Sequence, residues 1–125
     1  MSSLQQLENR NWGDPDAAST ALTKRCIQLT KIPIADFAIE DLRIMIGQGF
    51  GLTYLIPLAI EKLKENILVE GDLYPGDLLS SILKIDKRFW GENKQLLSDL
   101  KTIIKDNEGE IAGANISLES FNITH

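Results

Sequence analysis

The stretch VEGDLYPGDLL, residues 69–79, concentrates the side chains of this chain that are most able to do chemistry. We call it the acidic segment. Glu70, Asp72 and Asp77 carry carboxylates that could bind a cation, exchange a proton or attract basic groups, and Tyr74 adds an aromatic ring with a polar tip. The alternatives are therefore a metal loop, a catalytic acid pair, a surface for a basic partner, or a turn between helices.

The spacing in the acidic segment argues against a metal loop. An EF-hand loop needs oxygen ligands at alternate positions and a glutamate at its twelfth position, whereas residues 73–75 are Leu, Tyr and Pro. Catalysis by paired carboxylates needs two carboxyl groups held at a defined separation in a cleft, which the pattern does not require. We predict no metal and no cofactor. One alternative function is a small enzyme that uses Glu70, Asp72 and Asp77, with or without Mg²⁺, and another is a structural adaptor with an apolar groove for a partner.

Other kinds of catalytic site are disfavoured as well. The one histidine is His125, at a chain end, where order is hard to maintain. The one cysteine, Cys26, falls on the apolar face of a predicted helix, where a thiol usually acts as a small hydrophobe. GQGFG at 47–51 has GxGxG spacing after a helical pattern, unlike the GxGxxG loop that follows a strand in dinucleotide-binding folds. We predict that the protein is not an enzyme and has no catalytic residues.

The remaining functional interpretation is electrostatic recognition of a protein. The net charge of −5 disfavours direct binding to nucleic acid, which depends on neutralising phosphates. Acidic residues cluster within residues 65–83 and 106–125, and neither range contains a lysine or arginine. Such local fields attract and orient basic partners. The sequence therefore predicts a binding surface made of Glu70, Asp72 and Tyr74, with Glu108 and Glu110 as a second patch.

A purely structural role for the same carboxylates stays open. Glu70 and Asp72 could do no more than solvate a turn, while Asp77 stabilises the N-terminus of a following helix. For the glycines and prolines we predict a backbone role outside the binding site. These residues are Gly47, Gly51, Pro57, Pro75 and Gly76.

The elements that position these residues are predicted to be helices. The apolar residues between Leu52 and Leu63 recur at the spacing of an amphipathic helix, with Pro57 in its first turn or at a kink. Further helices are predicted near residues 3–9, 17–29 (capped by Asp16 or Ser19), 39–47, from Pro75 onward, 86–90 and 96–105. Sustained two-residue alternation is missing throughout the sequence. We expect an all-α, single compact domain of about five to seven short helices.

The ends of the chain add two expectations. Residues 1–105 are predicted to form the helical domain, and residues 106–125 an acidic C-terminal tail that is either docked or disordered. The opening MSSLQQLENRNW lacks the basic and apolar regions of a secretory signal, and the apolar runs are too short for a membrane helix. We therefore expect a cytoplasmic protein that does not contact a membrane.

Several motifs together resemble a known family. EDLRIMIGQGFGLTYLIPLAIEKL at 40–63, EGDLYPGDLL at 70–79 and the Phe89-Trp90 pair are similar to the immunity proteins of bacterial contact-dependent growth inhibition. Trp12-Gly13 and Arg25-Cys26 also fit, so the resemblance covers roughly residues 10–100.

The resemblance implies a non-enzymatic antitoxin. Proteins of this family bind the C-terminal toxin domain delivered by a neighbouring cell and neutralise it in the cytoplasm. Many such toxins are nucleases, whose active sites are typically basic. The resemblance therefore implies a basic, nuclease partner whose active or substrate-binding site is occluded, and it leaves the oligomeric state open.

Overall fold

A computed structural model describes residues 2–125, with side chains throughout except at residues 123 and 124. Nine α-helices lie within this part of the chain, and the regular pairing of strands is limited there to one bridge between Ser3 and Pro33. The helices are α1 Leu4–Leu7, α2 Ala21–Leu29, α3 Ile39–Gly47, α4 Leu52–Glu65, α5 Asp77–Leu83, α6 Lys87–Glu92, α7 Lys94–Asp106, α8 Glu108–Gly113 and α9 Glu119–Thr124. The predicted all-α fold is confirmed.

The core forms around α4, whose apolar stripe is buried as the helical spacing predicts. Leu55, Ile56 and Leu63 are completely inaccessible to solvent. Helix α4 packs against α3, α5 and α7, and α3 in turn packs closely on α5. Fully burying each such side chain contributes roughly 1.5–3 kcal/mol to folding. This packing fixes the positions of α3 and α5, the two helices that flank the acidic segment.

Helix α2 begins later than the sequence predicts. Thr20 caps it, because the hydroxyl of Thr20 accepts the backbone N–H of Thr23 at 3.0 Å. The predicted caps Asp16 and Ser19 were therefore wrong. Residues 15–17 instead form a separate 3-10 turn. Asp16 forms an ion pair with Lys24 at 3.2 Å.

Two prolines can be compared with the sequence prediction. Pro57 lies inside α4, beyond the first turn, on an exposed position of the helix, so the first of its two predicted places is wrong and a kink there stays a prediction. Pro75 was predicted to open the next helix, but α5 begins at Asp77 after an N-cap at Gly76. Gly76 has φ of +87°, a left-handed conformation that glycine adopts without strain. This turn keeps Pro75 in the loop and points the chain into α5.

The C-terminal residues pack on the helical body. Ile111 of α8 and Phe121 of α9 are buried, and the Lys101 ammonium donates to the backbone oxygen of His125. Ile116, between these two helices, lies against Gly76 at the start of α5. The C-terminal stretch therefore touches the end of the acidic segment, while the division of the chain at residue 105 stays a prediction.

None of the helices within residues 2–125 combines the length and the apolar character needed to cross a membrane.

Candidate partner-binding site

The acidic segment is held in one conformation by the carboxylate of Asp77. Its Oδ1 accepts the backbone N–H of Gly71 at 2.7 Å, and its Oδ2 accepts that of Leu73 at 3.0 Å. Asp77 is 1% exposed, so these bonds satisfy a carboxylate that water hardly reaches. The sequence predicts that Asp77 stabilises the start of a helix. In the structure Asp77 also binds the backbone of the preceding loop and so holds that loop against α5.

Helix α3 supplies a second anchor for the same loop. Glu40 and Arg43 are three residues apart and therefore lie on one face of α3. Glu40 Oε1 accepts the backbone N–H of Asp72 at 2.9 Å and the Nε–H of Arg43 at 2.6 Å, and Glu40 Oε2 accepts from Arg43 Nη2. Arg43 Nε also lies 3.8 Å from Asp77 Oδ2. Both anchors of the loop thus meet at one guanidinium.

The charges of this cluster stabilise one another. The hydrogen bond from Arg43 lowers the pKa of Glu40, burial opposes that shift, and the amide of Asp72 adds to it. The hydrogen bond to Glu40 raises the pKa of Arg43, and the charges of Asp77 and Asp72 act in the same direction. Arg43 therefore supplies a fixed positive charge beneath an acidic surface and offsets the repulsion among its carboxylates.

The outer face of the loop combines charge with apolar surface. Glu70 and Asp72 are exposed, and neither carboxylate joins an ion pair within the part of the chain that the structure describes. Leu73 is 60% exposed and Tyr74 is 43% exposed. Two free carboxylates beside an aliphatic and an aromatic side chain can bind a partner that offers basic and apolar groups.

The predicted second patch lies on a different element. Glu108 and Glu110 are both exposed in the first turn of α8. At that position their negative charge stabilises the positive N-terminal end of the helix, which gives them a local reason to be acidic. No hydrogen bond or ion pair among the described residues connects them to Glu70, Asp72 or Tyr74. The structure therefore brings three of the five predicted site residues together in one loop.

Asp77 is already engaged within the acidic segment. Both of its carboxylate oxygens accept backbone amides and water hardly reaches them, so its surroundings differ from those of the exposed Glu70 and Asp72. Among the residues described, no group of three or more His, Cys, Asp or Glu side chains could hold a metal ion. Burial raises the pKa of the Cys26 thiol, which favours its unreactive protonated form.

Glu40 and Arg43 were not among the residues predicted for the site. Their spacing of three within a predicted helix indicates an intrahelical ion pair, but the bond from Glu40 to Asp72 spans 32 positions in sequence. Only the packing of α3 against α5 brings them together.

Comparison of the sequence with known families relates the chain to one of them. A sequence model of the family described as CDI immunity proteins, where CDI is contact-dependent growth inhibition, matches residues 6–100. The match includes the acidic segment together with Glu40 and Arg43. The search of curated proteins and the search of solved structures found no match. Since the family match covers most of the chain, the protein belongs to the family of CDI immunity proteins.

Proposed function

We propose that this immunity protein binds its toxin domain through the acidic segment and covers the active or substrate-binding site of that toxin. Membership of the family makes the chain a toxin-neutralising protein, and this implies a binding role. The proposal adds the contact surface, the nuclease character of the toxin and inhibition by occlusion.

The observation that carries the proposal is the combination of exposure and rigidity in one loop. Asp77 and Glu40 hold the backbone on the inner side, while Glu70, Asp72 and Tyr74 face outward. A loop that is already ordered loses little conformational entropy when it binds, so more of the contact energy remains as affinity. A loop with exposed side chains on a fixed backbone is suited to recognition. A turn that only connects two helices does not need a buried carboxylate and an arginine to hold it.

Charge supports a basic nuclease as the partner. A nuclease must attract a phosphate backbone, which it does with lysine and arginine. The chain carries a net charge of −5, and the two carboxylates of the loop are unpaired within the described residues. Opposite charge accelerates association and orients the partners. We include Glu108 and Glu110 in the proposal as a second acidic contact.

Interface size also bears on the arrangement. A stable complex buries about 1,600 Å² in total, which is more than one loop offers. Neighbouring surface must therefore join the contact, and Leu73 and Tyr74 would form its apolar centre.

Co-expression with the toxin domain encoded beside this gene tests the proposal. We expect growth to be rescued, a complex to co-purify, and RNA or DNA cleavage by the toxin to stop when the purified protein is added. Toxin that still cleaves nucleic acid inside a stable complex would exclude occlusion. A toxin without nuclease activity would exclude the assigned partner class.

A further inference from the structure

A groove of about 420 Å³ lies beside the acidic segment. One wall is formed by Tyr74, by Ser80 and Leu83 of α5 and by Lys84, the C-cap of that helix, and the other by residues 114–117 with Ser120 and Phe121. Tyr74 belongs to both the groove and the acidic segment, so the two surfaces are continuous. A partner seated on the loop would reach the groove without a gap.

The charge in the groove is opposite to the charge of the loop. Lys84 is the one charged residue among the described residues that line the groove. It is exposed, and no ion pair or side-chain hydrogen bond of its ammonium is found within the described part of the chain. As the C-cap of α5, Lys84 interacts favourably with the helix dipole, and this role leaves its ammonium free to bind another group.

The rest of the lining suits a side chain that is part apolar and part polar. Leu83, Ile116 and Phe121 supply aliphatic and aromatic surface, while Ser80 and Ser117 supply hydroxyl groups. A glutamate fits this combination, since its methylene groups contact the apolar lining and its carboxylate pairs with the lysine. A lysine or arginine would be repelled by Lys84.

The two walls also differ in their relation to the family. Tyr74, Ser80 and Lys84 fall within the matched residues 6–100, whereas the opposite wall, residues 114–121, lies outside them. The groove therefore lies between residues that the family model matches and residues that lie outside the match. Lys84 in this groove favours a toxin that offers the opposite charge and disfavours one that offers the same charge, which is how a charged contact gives specificity.

We infer that the groove is a specificity contact that receives a carboxylate-bearing side chain of the toxin domain, paired with Lys84, while Glu70 and Asp72 bind basic groups of the same domain. This inference rests on the proposed function. It assigns the partner surface a mixed charge pattern, a basic patch followed by an acidic side chain, rather than uniform positive charge.

Charge reversal separates this contact from general attraction. Lys84→Glu and the matched control Lys105→Glu, an exposed lysine on α7 outside the groove lining, change the net charge by the same amount. If the partner is basic overall, the added negative charge accelerates association in both variants. At Lys84 alone the new charge would face a carboxylate of the toxin, so we expect the complex of Lys84→Glu to dissociate about tenfold faster than wild type. The Lys84→Arg variant keeps the positive charge and should dissociate at nearly the wild-type rate. For Lys105→Glu we expect no slowing of association.

A steric variant tests occupancy separately. Ser80→Phe narrows the groove and leaves the charge unchanged, and Ser98→Phe places the same side chain at an exposed position of α7. Kinetics would be measured by biolayer interferometry with full-length protein and the toxin domain encoded beside it, after circular dichroism has verified folding. We expect Ser80→Phe to bind the toxin domain more weakly than wild type, and Ser98→Phe to bind it as wild type does.

The outcomes distinguish this inference from the proposed function. If wild-type protein neither binds nor protects, the proposed function fails. If wild type protects and Lys84→Glu binds like Lys105→Glu, the carboxylate contact is overturned, even where Ser80→Phe weakens the complex. If Ser80→Phe also binds like wild type, the groove is not part of the interface.

Discussion

The carboxylate of Asp77, the first residue of α5, accepts the backbone N–H of Gly71 at 2.7 Å, although Gly71 lies six residues earlier, between the exposed Glu70 and Asp72. This bond connects the start of α5 to the exposed part of the acidic segment, so that the conformation of each depends on the other. Glu40 adds a second connection from α3 through its bond to the amide of Asp72. Stability and binding are therefore expected to depend on the same side chains.

Asp77→Asn tests the stabilising role of this carboxylate. Asparagine replaces one acceptor oxygen with an N–H₂ group, which faces a backbone donor at Gly71 or Leu73 and leaves it unsatisfied. We expect a loss of about 2 kcal/mol in the free energy of unfolding, measured by urea denaturation. The amides of residues 71 and 73 should also exchange hydrogen faster. Asp72→Asn, whose carboxylate is exposed, is the control and should change stability by less than about 0.5 kcal/mol. Equal stability of the two variants would show that Asp77 does not anchor the loop.

Gly71→Ala should disturb the loop by sterics alone. A Cβ at Gly71 would lie 2.6 Å from Glu40 Oε1 and 3.2 Å from Glu40 Cα, and the second of these is backbone that cannot turn away. We expect a loss of roughly 1–3 kcal/mol in thermal or urea unfolding. Gly47→Ala is the matched control, because nothing lies within 4 Å of its added Cβ and the residue is helical. It should stabilise the protein by roughly 0.5 kcal/mol. A neutral Gly71→Ala would mean that α3 and the loop are not in close contact.

The Glu40–Arg43 pair should make stability depend on acid pH. The hydrogen bond from Arg43 lowers the pKa of Glu40 in the folded state below its unfolded value of about 4.3. Its ionised form therefore stabilises the fold fully above that value, and the stabilisation is lost as the pH falls through the folded pKa. Comparing wild type with Glu40→Gln in urea from pH 6 to pH 2.5, we expect the difference in unfolding free energy to shrink toward the acid end. A difference that stays constant over this range would contradict the role of the charge.

Local elements could be predicted from the sequence, and long-range bonds could not. The bounds of α3 were predicted correctly because acidic residues at its start and a glycine at its end are local signals. The bond from Glu40 to Asp72 depends on how α3 packs on α5, which no spacing encodes. The groove likewise needs residues 114–121 to lie beside α5, and the sequence left the tail either docked or disordered. The loop that carries Glu70, Asp72 and Tyr74 was predicted, but its internal anchors were missed.

Leu73 should be an anchor of the proposed interface. It is the most exposed of the large hydrophobic residues in the described chain, at 60%, and it lies between Asp72 and Tyr74. Truncation by Leu73→Ala removes apolar area at the centre of the contact, so we expect the Kd for the toxin domain to rise about tenfold. Leu22→Ala on α2 is the control, because Leu22 is 44% exposed and lies on a different element. Isothermal titration calorimetry would measure both. If Leu73→Ala and Leu22→Ala change the Kd equally, Leu73 is not an anchor of the interface.

The charge of the acidic segment should control how fast the complex forms. In the Glu70→Lys, Asp72→Lys double variant the loop becomes basic, while both residues are exposed and unpaired within the described chain, so the fold should persist. We expect association with the toxin domain to slow by about tenfold or more at low salt, and the difference to narrow as salt screens the charges. Glu61→Lys with Glu65→Lys changes the net charge equally from exposed positions on α4. It should slow association less, since its charges lie on another element. An unchanged association rate in the loop variant, measured by stopped flow at low salt, would remove Glu70 and Asp72 from the binding site.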